Sequence, residues 1–274
     1  AKGTAATQLF AAQLSKLDAQ GQIALINALA DRGDASAKSA VLEQLGSNKN
    51  DAVRAAAVTA MGRLGGIADL PVFIKSLASG SDVEKSGARH GLVQLSGAGT
   101  SKAIATELKS APAAVKAALI DVLATRRAGD ESQAFVTAST DPDAQVRGAA
   151  MAALGQLGRP EQLSSLLPGV LKAERGTERD NAERHVAAVC KKVENEDQRA
   201  TLLIDAMKTL SATDRDELLP LVGRVGGKKL VSFVNEIATA KDPAHRRIGI
   251  DALSKWPDAA VVDELLAIAR SSTD

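Results

Sequence analysis

Seven basic residues recur at a fixed interval in this chain. Arg54, Lys85, Lys116 and Arg147 follow one another in steps of 31, and after a shift of six the series resumes with Arg184, Arg215 and Arg246. A row of cationic side chains on one surface could hold phosphates or an acidic partner along a groove. The same spacing has a structural use: a residue needed once per repeat can bond carboxylates or carbonyls of a neighbouring turn, with Asp141 and Glu178 the local candidates. Both readings stay open on sequence grounds.

Catalytic and metal chemistry find less support. His90, His185 and His245 stand at three different places in the repeat frame, so they do not converge on one metal, and no His-Glu pair occurs. Cys190 is the single cysteine; it excludes an internal disulfide and takes a core position equivalent to Ala60 and Ala153. No Ser/His/Asp or Cys/His arrangement has a supporting spacing. The stretch Gly223 to Lys229 has the glycines and lysines of a phosphate loop, but its spacing is wrong and no Ser or Thr follows the lysine. Gly226 instead repeats the turn glycines Gly65 and Gly158. No catalytic residue, cofactor site or metal site is therefore predicted, and the chain reads as a non-enzyme.

The elements that carry the basic series come from an internal repeat. Residues 51–65 and 144–158 are near copies, and the arginines in them lie 147 − 54 = 93 positions apart, three times 31. Three positions beyond each basic residue stand Ala57, Ala88, Leu119, Ala150, Ala187, Leu218 and Gly249; six beyond stand Ala60, Gly91, Val122, Ala153, Cys190, Leu221 and Ala252. Spacings of three to four residues put these small and apolar side chains on one helical face. A second ladder, Leu42, Phe73, Ile104, Phe135, Leu166, Leu203, Val234 and Leu265, marks the other helix of each repeat. Two amphipathic helices per repeat, separated by turns such as Asp141-Pro142-Asp143, can bury their apolar stripes only by stacking. The predicted fold is all-α, a right-handed α-α superhelix of about eight helical hairpins with a 31-residue period, spanning residues 1–274 as a single solenoid. The six-residue slip falls between 160 and 181, in a charge-rich stretch that reads either as a binding insertion or as a benign bulge.

Positions five and nine beyond the basic series vary and are mostly polar. From them Arg63, His90, Gln94, Asp121, Gln156, Arg224 and Lys255 form a predicted exposed ridge that would meet a partner; a merely solvated face is the competing reading. Trp256, the only tryptophan, replaces Leu64 and Leu157 and is expected in the core, with an interface role as the alternative.

The segment Asp141-Pro-Asp-Ala-Gln-Val-Arg147, running on to Gly155, resembles the second helix of a HEAT repeat of the bacterial, phycobilisome-lyase-like kind, and the resemblance covers nearly the whole chain. It implies that the first helix of each hairpin faces outward and the second lines a concave surface. It also implies a protein-interaction or scaffold role. The tail around Trp256 is similar to HEAT regions that accompany sugar-processing enzyme domains in large bacterial proteins, which makes an accessory region of a multidomain enzyme the alternative function. The first-type helix over 258–270 lacks the partner helix the repeat leads one to expect, so a fragment truncated at its C-terminus is expected.

Thirty-four basic against 33 acidic residues leave a net charge of +1, with no Tyr and 2% aromatics. Nucleic-acid binding along an arginine-lined groove is thereby disfavoured. No stretch reaches the roughly 20 apolar residues of a membrane span, and the compartment stays open between bacterial cytoplasm and cell envelope. The partner is expected to be another protein or an adjoining domain.

Overall fold

The computed structural model describes residues 3–271. Those residues contain eighteen α-helices and no strand, and the chain divides into two compact units, Ala1–Glu131 and Ser132–Asp274. In the first unit the hairpins are α1 (Thr4–Ala11) with α2 (Ala19–Arg32), α3 (Lys38–Ser47) with α4 (Asp51–Leu64), α5 (Leu70–Ser79) with α6 (Asp82–Gln94), and α7 (Thr100–Glu107) with α8 (Ala113–Thr125). In the second unit α9 (Ser132–Ala138) pairs with α10 (Ala144–Leu157), and α11 (Leu163–Lys172) with α12 (Thr177–Cys190). There α13 (Glu196–Met207) is followed by a second helix broken into α14 (Ala212–Glu217) and α15 (Leu219–Val225), then by α16 (Lys228–Ala238) with α17 (Pro243–Ser254), and by α18 (Val262–Ser271).

Several helices start where a short polar side chain can take the place of the missing backbone acceptor. Asn50 Oδ1 accepts from the Ala52 and Val53 amides, and Asp143 Oδ1 from those of Gln145 and Val146. At α6 the Glu84 carboxylate reaches back to the Ser81 amide at 2.9 Å, a capping box. The following residues are dominated by alanine and leucine, the best helix formers, so little propensity is lost.

The apolar ladders are the core. Ile26, Ala57, Ala88, Leu119 and Ala150 are buried at 31-residue intervals in the second helices, as are Phe73, Ile104, Phe135 and Leu166 in the first. Leu42 is only half-buried; its neighbour Val41 fills the core place in α3. Small side chains let second helices approach closely, so α4 packs on α2 and α6, and α10 on α12. Trp256 is buried two residues past the end of α17, at the repeat position of the buried Leu64, while Leu157 at the same position is half-buried.

One member of that alignment is an arginine. Position 126 follows Leu64 and Leu95 at 31-residue steps, and the Arg126 Nη1 donates to the carbonyls of Leu92, Val93 and Leu95 at 2.8, 2.9 and 2.9 Å. These are carbonyls left open at the end of α6, where a cation also faces the negative end of the helix dipole. Lys192 does the same for Gln156 and Gly158 at the end of α10. Replacing Arg126 with the repeat's usual leucine is therefore expected to destabilise the first unit by about 2 kcal/mol, since charged hydrogen bonds are lost and buried carbonyls left unpaired. The midpoint of urea unfolding reads this directly.

Candidate functional site

The basic series divides into two kinds of residue. Arg54 donates through Nε and Nη2 to the two oxygens of Glu84 at 2.9 and 3.0 Å, and through Nη1 to the Asn48 carbonyl. Arg147 repeats the arrangement on Glu178, at 2.7 and 2.9 Å, with Nη1 on the Asp141 and Pro142 carbonyls. Each arginine thus ties its own helix to the preceding turn and to the start of the next second helix. The bidentate pairing holds the Glu84 carboxyl down at about 2 and lowers Glu178 as well. Arg147 is 3% exposed, so it offers nothing to a partner. Lys85 lies at 3.9 Å from Asp82 in its own helix, Lys116 is half-buried in α8, and Arg215 and Arg246 are exposed.

Arg184 does not occupy the series position. The buried residues of α10, Val146, Arg147, Ala150, Met151, Ala153 and Leu154, recur in α12 as Ala182, Glu183, Val186, Ala187, Val189 and Cys190, an offset of 182 − 146 = 36. Glu183 therefore stands where the arginine belongs, and Arg184 is one residue further on, hydrogen-bonded to Asn181. Cys190 correspondingly matches Leu154 rather than Ala153. The next second helix matches α10 at 218 − 150 = 68, which restores Arg215 to the series. Five of the six extra residues precede Glu183, and α12 starts six residues before it where α10 starts three before Arg147.

That extension meets a second irregularity. Pro220 cannot donate the helical hydrogen bond to Asp216, and the helix breaks at Leu218 into α14 and α15. Between the extended start of α12, the break, and α17 lies a cleft of about 640 Å³ whose walls include Arg175, Arg179, Glu217, Arg247 and Lys255, with Pro220 and Ile248 as apolar lining.

On one wall of the cleft the buried Glu183 is neutralised from the following repeats. Arg224 donates to Glu183 at 2.8 Å and to Asp180 at 2.6 Å, and Lys255 Nζ lies 3.5 Å from Asp180 and 3.1 Å from Asp251. Burial opposes the Arg224 cation, yet bonding to Glu183 outweighs it and its pKa is raised; burial likewise opposes the Asp180 anion, and Lys255 and Arg224 prevail. Arg224 and Lys255 are thus not the exposed ridge that spacing suggests. Their side chains are 16% and 21% exposed because α12 supplies two carboxylates that spacing could not place.

The other ridge residues are on the surface. In the first unit Arg63 of α4 bonds Gln94 of α6 at 3.1 Å and pairs with Asp31 of α2, with His90 and Asp121 exposed nearby in the sequence frame. Desolvation raises the Asp121 carboxyl. In the second unit Gln156 is exposed and gives its carbonyl to Lys192.

The remaining reactive side chains have bland surroundings. His185 packs on Gly155, and burial lowers its pKa; His245 Nε2 is 3.0 Å from Asp216. Among the described residues no group of three or more His, Cys, Asp or Glu could hold a metal ion, and no helix is long and apolar enough to cross a membrane. The Cys190 thiol is fully buried and pushed up to about 12 by desolvation. It should therefore resist a chromogenic disulfide reagent in the native chain and react at once in denaturant. Rapid native labelling would show that α12 opens.

Hairpins whose second helices stack upon one another, tied in two places by Arg54 and Arg147, define the α-solenoid class of helical-repeat proteins. The model for HEAT repeats matches residues 7–92 and 101–187, more than half of the chain. The chain belongs to the HEAT-repeat family, whose members commonly serve as protein-interaction scaffolds. No curated protein matches it.

Proposed function

We propose that this chain is a non-catalytic protein-interaction module that receives its partner in the cleft between α12, α14–α15 and α17. One observation carries the reading. Two independent departures from the repeat, the extension of α12 and the proline break, fall 40 residues apart in sequence (220 − 180) and meet at one cleft. Regular repeats need neither. In a solenoid each repeat contacts its neighbours in the same way, so a local irregularity is free to be shaped by what it binds. The regular arginines support the proposal by default, since Arg54 and Arg147 are spent on packing.

The test is a pull-down from lysate of the source organism with the chain as bait, followed by affinity measurement on the purified captured protein. An Arg247→Glu variant alters an exposed cleft residue, and Arg63→Glu alters the first-unit surface. Capture abolished by the former and kept by the latter is the expected result. The reverse pattern would move the binding face to the α2–α4–α6 surface of the first unit.

A further inference from the structure

Resting on that reading, we infer that the cleft recognises an acidic side chain of its partner, and that Glu217 occupies the place of that carboxylate in the free protein. Carbonyls clamp Arg179 too, but by the edge that Arg54 and Arg147 give to a carboxylate: Nε donates to Ala173 at 3.1 Å and Nη2 to Leu171 at 2.7 Å, leaving only Nη1 directed at the cleft. The acid is held differently as a result. Glu84 and Glu178 each take one arginine in two contacts of 2.7 to 3.0 Å, whereas Glu217 is shared between Arg175 and Arg179 with one contact of 3.3 Å to each. A shared carboxylate at that distance, a third exposed and on the last residue of a six-residue helix, is weakly held.

Apart from Glu217, each carboxylate of the cleft already has a basic partner. Asp216 is engaged by His245, Asp251 by Lys255, and Asp180 and Glu183 by Arg224 and Lys255. Arg247 is exposed on the cleft wall, with no carboxylate at ion-pair distance among the described residues. A single carboxylate entering between Arg247 and the pair Arg175 and Arg179 would release Glu217 to solvent at little cost, because the Arg179 guanidinium is already positioned by its two carbonyls. A phosphate dianion fits worse, since five carboxylates line the walls. Pro220 and Ile248 offer an apolar contact beside the charge, so the recognised element is an acidic residue next to an aliphatic one in a peptide segment.

Fluorescence anisotropy with a labelled nonapeptide of alternating glutamate and leucine, and with its lysine-leucine counterpart, tests this at low salt. The acidic peptide is expected to bind and the basic one not. Arg175→Glu, at a position 83% exposed and safe for folding, should weaken binding roughly tenfold. Glu217→Gln should tighten it several-fold, while Glu194→Gln, the same charge change on an exposed residue after α12, should leave it unchanged. Equal effects of the two glutamate variants would overturn the inference by reducing it to net charge. Binding of the basic peptide alone, abolished by Ile248→Asp, would overturn acid recognition while leaving the cleft as the binding face. Binding of neither peptide would overturn it as well, and the pull-down would then judge the broader reading by itself.

Discussion

Gly223→Ala is expected to unfold the second unit or to lower its stability by 3 kcal/mol or more. A Cβ at position 223 would lie 1.9 Å from the Ala252 carbonyl oxygen of α17, and a backbone oxygen cannot swing aside as a side chain can. Overpacking a core costs about 1–3 kcal/mol when neighbours can adjust; here the two helices would have to separate. Gly148→Ala provides the control. It lies inside α10 with open space where its Cβ would stand, so the change should stabilise by about 0.5–1 kcal/mol through helix propensity. Opposite signs for the same substitution, read from urea unfolding midpoints, would establish that close approach of second helices depends on the glycine that Gly223 shares with Gly62 and Gly155 in the repeat frame.

Arg147→Ala should cost about 3 kcal/mol. The substitution leaves Glu178, whose side chain is 21% exposed, without its bidentate partner, and strands the Asp141 and Pro142 carbonyls. Arg215→Ala and Arg246→Ala, at exposed members of the same series, should stay within about 0.5 kcal/mol. The paired carboxylates also set an acid dependence. The Glu84 pKa falls from an unfolded value of 4.5 to about 2, so the stability it contributes is present above 4.5 and is lost as pH drops toward 2. The Arg54→Ala variant should lose that slope. If all members of the basic series proved equally costly, or equally cheap, the division into packing and surface residues would fail.

The all-α hairpin repeat was legible in the sequence, because a repeat shows its core many times over. One look at Ala57 suggests little, whereas Ala57, Ala88, Leu119 and Ala150 at equal spacing define a buried face. Arg54 and Arg147 were legible for the same reason, and Glu178 stood near enough in sequence to be named. The irregular repeat was not. Arg184 and Glu183 are neighbours, and a run of small residues hides a shift of one, so the basic residue drew the assignment while burial selects the acid. Spacing alone makes Arg224 and Lys255 exposed; what encloses them is a pair of carboxylates on an extended helix, a contact between repeats that no spacing within a repeat reveals. The proline at 220 was visible, but its effect needed the neighbouring extension to become a cleft.

Docking in the cleft is tested most directly by hydrogen–deuterium exchange of the chain with and without the protein retained by the wild-type bait and lost by Arg247→Glu. Slowed exchange is expected in three separate segments, the start of α12 around Arg175 to Asp180, the break around Asp216 to Pro220, and α17 from Arg247 on to Lys255, with the first unit unchanged. Protection spread evenly over the second helices of both units, or confined to the first unit, would contradict it.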